Sequence, residues 1–132
     1  MFNLRKLWLR ERLVRTAKSY VGRVRYQLKS QHTHRLVLDC SSFTRLVCQT
    51  NGITLPRGAK AQSKVGLPIY RTMYLRKGDL ILFSGLSSRT IDHVGLYIGH
   101  GQFIHNMPRK GVVITPLSNW KNRFLMGRHI LK

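Results

Sequence analysis

The stretch Asp92-His93-Val94-Gly95-Leu96-Tyr97-Ile98-Gly99-His100-Gly101-Gln102-Phe103-Ile104-His105-Asn106-Met107 reads as a β-hairpin, two apolar and aromatic runs separated by a glycine-flanked turn. Side chains alternate between the faces of a strand. A three-residue loop at Gly99-His100-Gly101 therefore sets Ile98 opposite Gln102 and gathers the odd-numbered positions of both strands on one face. That face carries His93, Gly95, Tyr97, Phe103, His105 and Met107, whereas Val94, Leu96, Ile98 and Ile104 make a more uniformly apolar face. His93 and His105 become diagonal neighbours, roughly 7 to 8 Å apart in backbone position and within reach of each other's rings. The pairing depends on loop length, because a slip of one residue sends the two histidines to opposite faces.

Around the hairpin lie further short apolar runs bounded by Gly, Pro or Asn: Asp79 to Ser84, Val112 to Thr115 and Met126 to Leu131. Before the turn signal Arg76-Lys77-Gly78 the pattern is helical instead. From Asn3 to about Tyr20, Leu4, Leu7, Val14, Ala17 and Val21 recur at helical spacing among Arg and Lys, predicting an amphipathic helix with a basic outer face. Arg23 to Arg35, with Tyr26, His32 and His34, reads as an irregular connection. Asp39 is a good N-cap, and Phe43, Leu46 and Val47 carry a second helix to the stop at Asn51-Gly52. A short polar helix is expected over Ala59 to Val65. Helices first and antiparallel strands second make an α+β fold, N-terminal helices on a small sheet of about five strands. At 132 residues the chain has room for one domain, 1–132, comprising a basic helix over 1–20 and a core over 21–131.

Cys40 then falls in the first turn of the second helix, where unpaired backbone N–H groups and the positive dipole end favour a thiolate. Cys48 lies two turns further on, about 12 Å along the same axis, which is too far for a disulfide and typical of a small core residue. Cys40, His93 and His105 supply a nucleophile, a base and an orienting group, with the oxyanion met by N–H groups at the helix start, Cys40's own included. Gly95 leaves space beside the base for substrate or the nucleophile helix. Six His and two Cys in 132 residues also permit a chance grouping whose members never meet. Zinc is a rival for these atoms, but Cys-x-x-Cys and His-Glu-x-x-His are absent and His32-Thr33-His34 has no nearby carboxylate, so neither metal nor cofactor is expected.

Charge is the abnormal quantity: 24 Lys and Arg against 4 acids give +20, and ten of the basic residues precede position 36. A polyanion is expected nearby, and charge alone does not choose among nucleic acid, an anionic membrane face and anionic cell-wall polymer. No apolar run approaches the roughly 20 residues that span a bilayer, and Met1-Phe2-Asn3-Leu4-Arg5-Lys6-Leu7 leads into further Arg rather than the apolar stretch of a secretory signal.

Taken in order, Asp39-Cys40-Ser41-Ser42-Phe43, Leu55-Pro56-Arg57 with Gln62, Lys77-Gly78-Asp79-Leu80, Asp92 to Gly99 and Phe103-Ile104-His105 resemble the NlpC-type cell-wall cysteine peptidases over roughly residues 20 to 131. The resemblance implies a papain-like fold and hydrolysis of peptidoglycan stem peptides, often beside D-glutamate, through a thioester. It implies Cys40 as nucleophile, His93 as base and His105 as third member, with Tyr26 over the active site and Asp39 and Ser41 helping to bind substrate. Ser42 stands where the family usually has Gly, and Ala59 where a small hydroxyl residue is common, which puts subsite preference in question. Expected partners are stem peptides and anionic envelope polymer, with delivery from outside the chain by lysis, a phage particle or tail, or a secretion apparatus. The competing expectations are a non-catalytic basic structural or polymer-binding protein, and an amidase or acyltransferase with the same triad.

Overall fold

Asn3 starts the first helix by accepting a hydrogen bond from the backbone N–H of Lys6, and α1 runs Leu4–Lys18. The computed structural model describes residues 3–86 and 89–131, so Met1 and Phe2 of the basic N-terminal segment lie outside it. The helix docks through its C-terminal half, where Leu13, Val14 and Ala17 are buried. Leu4 and Leu7, expected on the buried side, are 71% and 45% exposed. Arg10 is buried instead. Its guanidinium donates to the Lys77 carbonyl at 2.6 Å and to Asp79 at 3.1 Å, with His129 Nδ1 at 2.7 Å. Asp79 is 1% exposed, and a carboxylate so placed requires a partner.

Residues 23–35 are not an irregular connection. Two-residue strands β1 (Arg25–Tyr26) and β2 (Gln31–His32) flank β3 (Val37–Leu38), β1 parallel and β2 antiparallel to it. Strands this short show no period-two pattern, which is why spacing did not reveal them. The second helix, α2, spans Cys40–Thr50 and ends on Asn51, before Gly52 at φ 79°. The third, α3, is the four-residue Ala59–Gln62.

The main sheet comprises β4 (Leu67–Ile69), β5 (Leu80–Ser84), β6 (Ile91–Gly99), β7 (Gln102–Met107), β8 (Gly111–Pro116) and β9 (Phe124–His129), in the order β4-β9-β5-β6-β7-β8 with every pair antiparallel. The apolar runs of the sequence account for five of these six strands. Beyond them is β4, which lies on the β9 edge and contains Pro68. Both faces are covered. Leu80, Leu82, Val94, Leu96 and Ile104 meet α1 and α2, while Ile81, Phe83 and Phe103 pack with Leu75 and Leu117 under the 3₁₀ segment Leu117–Arg123. This two-sided burial explains the unbroken apolar run of β5.

The hairpin turn is tighter than a three-residue loop. Gly99 pairs with Gln102, and His100 and Gly101 both adopt positive φ, as a two-residue turn requires. A register shift between Tyr97 and Gly99 then restores the pairings Tyr97–Phe103 and Leu96–Ile104. The bulge thus yields the register that a three-residue loop sets, and the odd positions still share a face.

Candidate active site

The placement of Cys40 follows from Asp39. The Asp39 carboxylate accepts from the Ser42 backbone N–H at 2.8 Å, and the Ser42 hydroxyl accepts from the Asp39 N–H at 2.9 Å, a reciprocal cap that starts α2 at Cys40. The same hydroxyl reaches the Ser30 carbonyl at 2.8 Å, tying the cap to the small sheet. The Asn106 side-chain amide donates to the carbonyls of Leu38 at 2.8 Å and Asp39 at 3.1 Å. Asn106 follows His105 in β7, so the strand that carries one histidine holds the turn that carries the thiol. From the other side, the buried Gln62 donates to the carbonyls of Ser41 at 2.9 Å and Pro56 at 3.0 Å.

The two histidines meet as hairpin parity predicts. His93 Nε2 lies 2.7 Å from His105 Nδ1, and His105 Nε2 lies 2.8 Å from Thr115 Oγ1. With Nε2 engaged by His105, Nδ1 is the ring nitrogen of His93 left for Cys40. A chain in which His93 Nε2–H donates to His105 Nδ1, and His105 Nε2–H donates to the Thr115 oxygen, leaves that Nδ1 with a free lone pair. Trp120 packs 5.1 Å from each imidazole, and the Arg123 guanidinium lies 3.9 Å over the Trp120 ring while its Nε donates to the Ser84 carbonyl at 2.9 Å.

These groups surround a cleft of about 410 Å³. Its lining includes Tyr26, Asp39, Cys40, Ser41, Gly58 and Ala59 together with Asp92, His93, Met107, Trp120 and Arg123. His105 is fully buried behind His93. All three residues expected to bind substrate, Tyr26, Asp39 and Ser41, therefore open onto the same cleft as Cys40 and His93.

The electrostatics correct the expectation of a resting thiolate. Burial pushes the Cys40 thiol up to about 11, with Asp39 and Asp92 adding to the rise, against the opposing effect of the Val94 and Ser41 backbone N–H groups directed at its sulfur. His93 is held below the ordinary histidine range by burial and then by Arg123; His105 is lowered by burial, His93, Arg123 and Lys110. Burial and the neighbouring Cys40, Asp39 and Asp92 raise Tyr26. Burial thus favours the neutral form of each group, the Cys40 thiol and the His93 imidazole.

Two sequence readings change. The Ser42 side chain serves the cap and Ser30 rather than the cleft. Gly95 makes room for neighbours rather than substrate: a Cβ there would stand 3.0 Å from the Phe103 ring and 3.2 Å from the His105 Cβ. Thr115, Asp92, Trp120 and Arg123 were not singled out. Thr115 was within reach of the parity argument, since Phe103 pairs with Thr115 and His105 with Val113 across the next hairpin, which puts Thr115 on the histidine diagonal. Trp120 and Arg123 sit in a 3₁₀ segment without periodicity. Cys40 and Cys48 are both free, and His32 and His34 belong to no cluster of three or more metal-ligating side chains among the described residues. No helix among those residues is long and apolar enough to cross a membrane.

The model of the NlpC/P60 family matches residues 22–129. The chain is 38% identical over 112 residues to the murein DD-endopeptidase MepS/murein LD-carboxypeptidase of Escherichia coli K12, covering 82% of this chain and 56% of that protein. It is 41% identical over 83 residues to the gamma-D-glutamyl-L-lysine dipeptidyl-peptidase of Bacillus cereus, covering 61% of this chain and 24% of that one. It therefore spans little more than half, or less, of these relatives' own lengths. Among solved structures, an NlpC/P60 family protein from Bacillus cereus superposes with a TM-score of 0.83 at 31% identity, over 93% of this chain and 40% of that chain.

Proposed function

The chain belongs to the NlpC/P60 family, and from that premise we propose that it is a cysteine endopeptidase hydrolysing peptidoglycan stem peptides beside D-glutamate. The observation that carries the reading is the shared cleft, with Cys40 and His93 on its walls and the hydrogen-bonded line His93–His105–Thr115 behind. The relatives support the substrate class: one is named for murein endopeptidase activity and another for a γ-D-glutamyl-L-lysine bond.

A neutral resting pair implies that proton transfer accompanies attack. As the Cys40 sulfur bonds to the scissile carbonyl carbon, its proton passes to His93 Nδ1 and the carbonyl electrons move to oxygen. The oxyanion faces the start of α2, where the Cys40 backbone N–H precedes those engaged by the Asp39 cap. Collapse breaks the C–N bond, the departing amine takes the proton from His93, and a thioester remains on Cys40. Water then attacks the thioester, gives a proton to His93, and expels sulfur, which recovers that proton. Throughout, His105 Nδ1 accepts from His93 Nε2–H and Thr115 accepts from His105 Nε2–H, which keeps the working nitrogen of His93 turned to the thiol.

Mass spectrometry of the fragments released from purified sacculi tests the reading. The expected product carries a new amino terminus on the residue that followed D-glutamate. Cleavage confined to cross-links would reassign the bond, and intact stem peptides would reject the reading.

A further inference from the structure

Beside the cleft, and sharing Tyr26 with it, lies a second depression of about 460 Å³ walled by Arg23, Arg25, Arg109 and Lys110. Its lining holds four cations and no acid. The two basic segments are far apart in sequence and are held together where β1 meets the start of β8. Gly111 has φ 72°, and a Cβ there would stand 2.4 Å from the Val24 carbonyl oxygen, so glycine alone permits this approach of the two backbones. Arg109 itself sits at φ 70°, a conformation that non-glycine residues seldom adopt and that recurs at binding sites.

The cations have no internal counter-charge. All four side-chain acids of the chain are placed elsewhere: Glu11 pairs with Lys77, Asp79 with Arg10, Asp39 caps α2, and Asp92 lines the catalytic cleft. Arg23 is partly engaged, lying over Tyr20 and donating to the Ser19 carbonyl. Among the described residues, Arg25, Arg109 and Lys110 form no ion pair and are exposed. On a chain of +20, single exposed cations are unremarked; the gathering of several around one depression that shares Tyr26 with the cleft is not.

We propose that this depression is a subsite for a free carboxylate of the stem peptide, held by Arg25, Arg109 and Lys110 while the scissile bond lies at Cys40. The proposal rests on the peptidase reading above. The shared Tyr26 selects the occupant: a peptide lying across Cys40 and extending past Tyr26 would reach the depression, and stem peptides carry the carboxylates that these cations would pair with. Lys110 also acts on the catalytic line, being among the charges that lower His105.

The test is calorimetric binding to the Cys40→Ala protein of a stem peptide with free carboxylates, and of the same peptide with them converted to carboxamides. The combined substitution Arg25→Gln, Arg109→Gln and Lys110→Gln should weaken binding of the free-carboxylate form about tenfold, leaving the carboxamide form unchanged. Arg5→Gln, Arg15→Gln and Lys18→Gln, removing equal charge from exposed positions of α1, should change either by less than about twofold. Equal loss for both peptides, or equal loss from the α1 control, would overturn the subsite in favour of general charge attraction. Poly(glycerol phosphate) binding that depends on the three residues, without peptide discrimination, would overturn it in favour of a phosphodiester polymer. Sacculus cleavage by the unsubstituted protein is measured alongside: its absence sinks the peptidase reading, whereas cleavage without carboxylate discrimination sinks only the subsite.

Discussion

Cys40 and Cys48 lie on one helix, both buried, and burial raises both thiols, to about 11 and about 12. For Cys48 desolvation is the whole cause, and it sits in the apolar core with Val47 and Phe43. Cys40 has the Val94 and Ser41 N–H groups directed at its sulfur, and it opens onto the cleft that His93 lines. The difference teaches that burial alone does not set the two thiols apart. On the proposed function, what sets Cys40 apart is His93, a base able to take its proton during attack, lining the same cleft.

Removing that base tests the comparison most severely. His93→Ala should leave Cys40 as unassisted as Cys48 and lower kcat/KM on a stem-peptide substrate by about a thousandfold or more. A loss of under tenfold would detach His93 from the chemistry. Thr115→Val, which removes the acceptor at the far end of the line, should lower kcat about tenfold with KM unchanged, and Thr115→Ser should restore most of it. An equal loss in the serine variant would assign the effect to packing.

The neutral resting pair also predicts a pH dependence. His93 is depressed below 6.5, so the acid limb of kcat/KM should fall below pH 6.5, and at pH 5.5 the enzyme should lack the roughly tenfold loss of an ordinary imidazole. By linkage, below pH 6.5 the unfolded chain takes up protons that buried His93 and His105 refuse, so stability is lost progressively as pH falls from 6.5 toward their lowered values. Urea midpoints at pH 7 and pH 5 measure this, and the midpoint should be lower at pH 5. The smallest effect expected is from Ser42→Gly, which deletes the reciprocal cap bond and the Ser30 link at a cost of about 1 kcal/mol in chemical unfolding, with bond preference unchanged. An altered product pattern would return Ser42 to the substrate side.

The contrast also marks what was legible from residues alone. The N-cap at Asp39, the helix it starts and the meeting of His93 with His105 were readable because each follows a short-range rule: side-chain capping in one case, strand parity in the other. The burial of Arg10 was not readable, because helical spacing does not reveal a buried carboxylate 69 residues away. The small sheet of β1 to β3 was missed because two-residue strands carry no period. Thr115 required the parity argument to be carried across one more hairpin, and Trp120 and Arg123 required the tertiary fold. The thiolate expectation failed because sequence displays the helix terminus and conceals the depth at which it is buried.

The central claim is that the Cys40 thiol attacks the peptide bond. Soluble muropeptide release from purified sacculi, measured for the unsubstituted protein, Cys40→Ala and Cys48→Ala at matched folded concentration, tests it most directly. The account predicts release by the first, none detectable from Cys40→Ala, and release within about twofold of the first from Cys48→Ala, whose loss is one of stability, about 1 to 2 kcal/mol. Undiminished release by Cys40→Ala would contradict it.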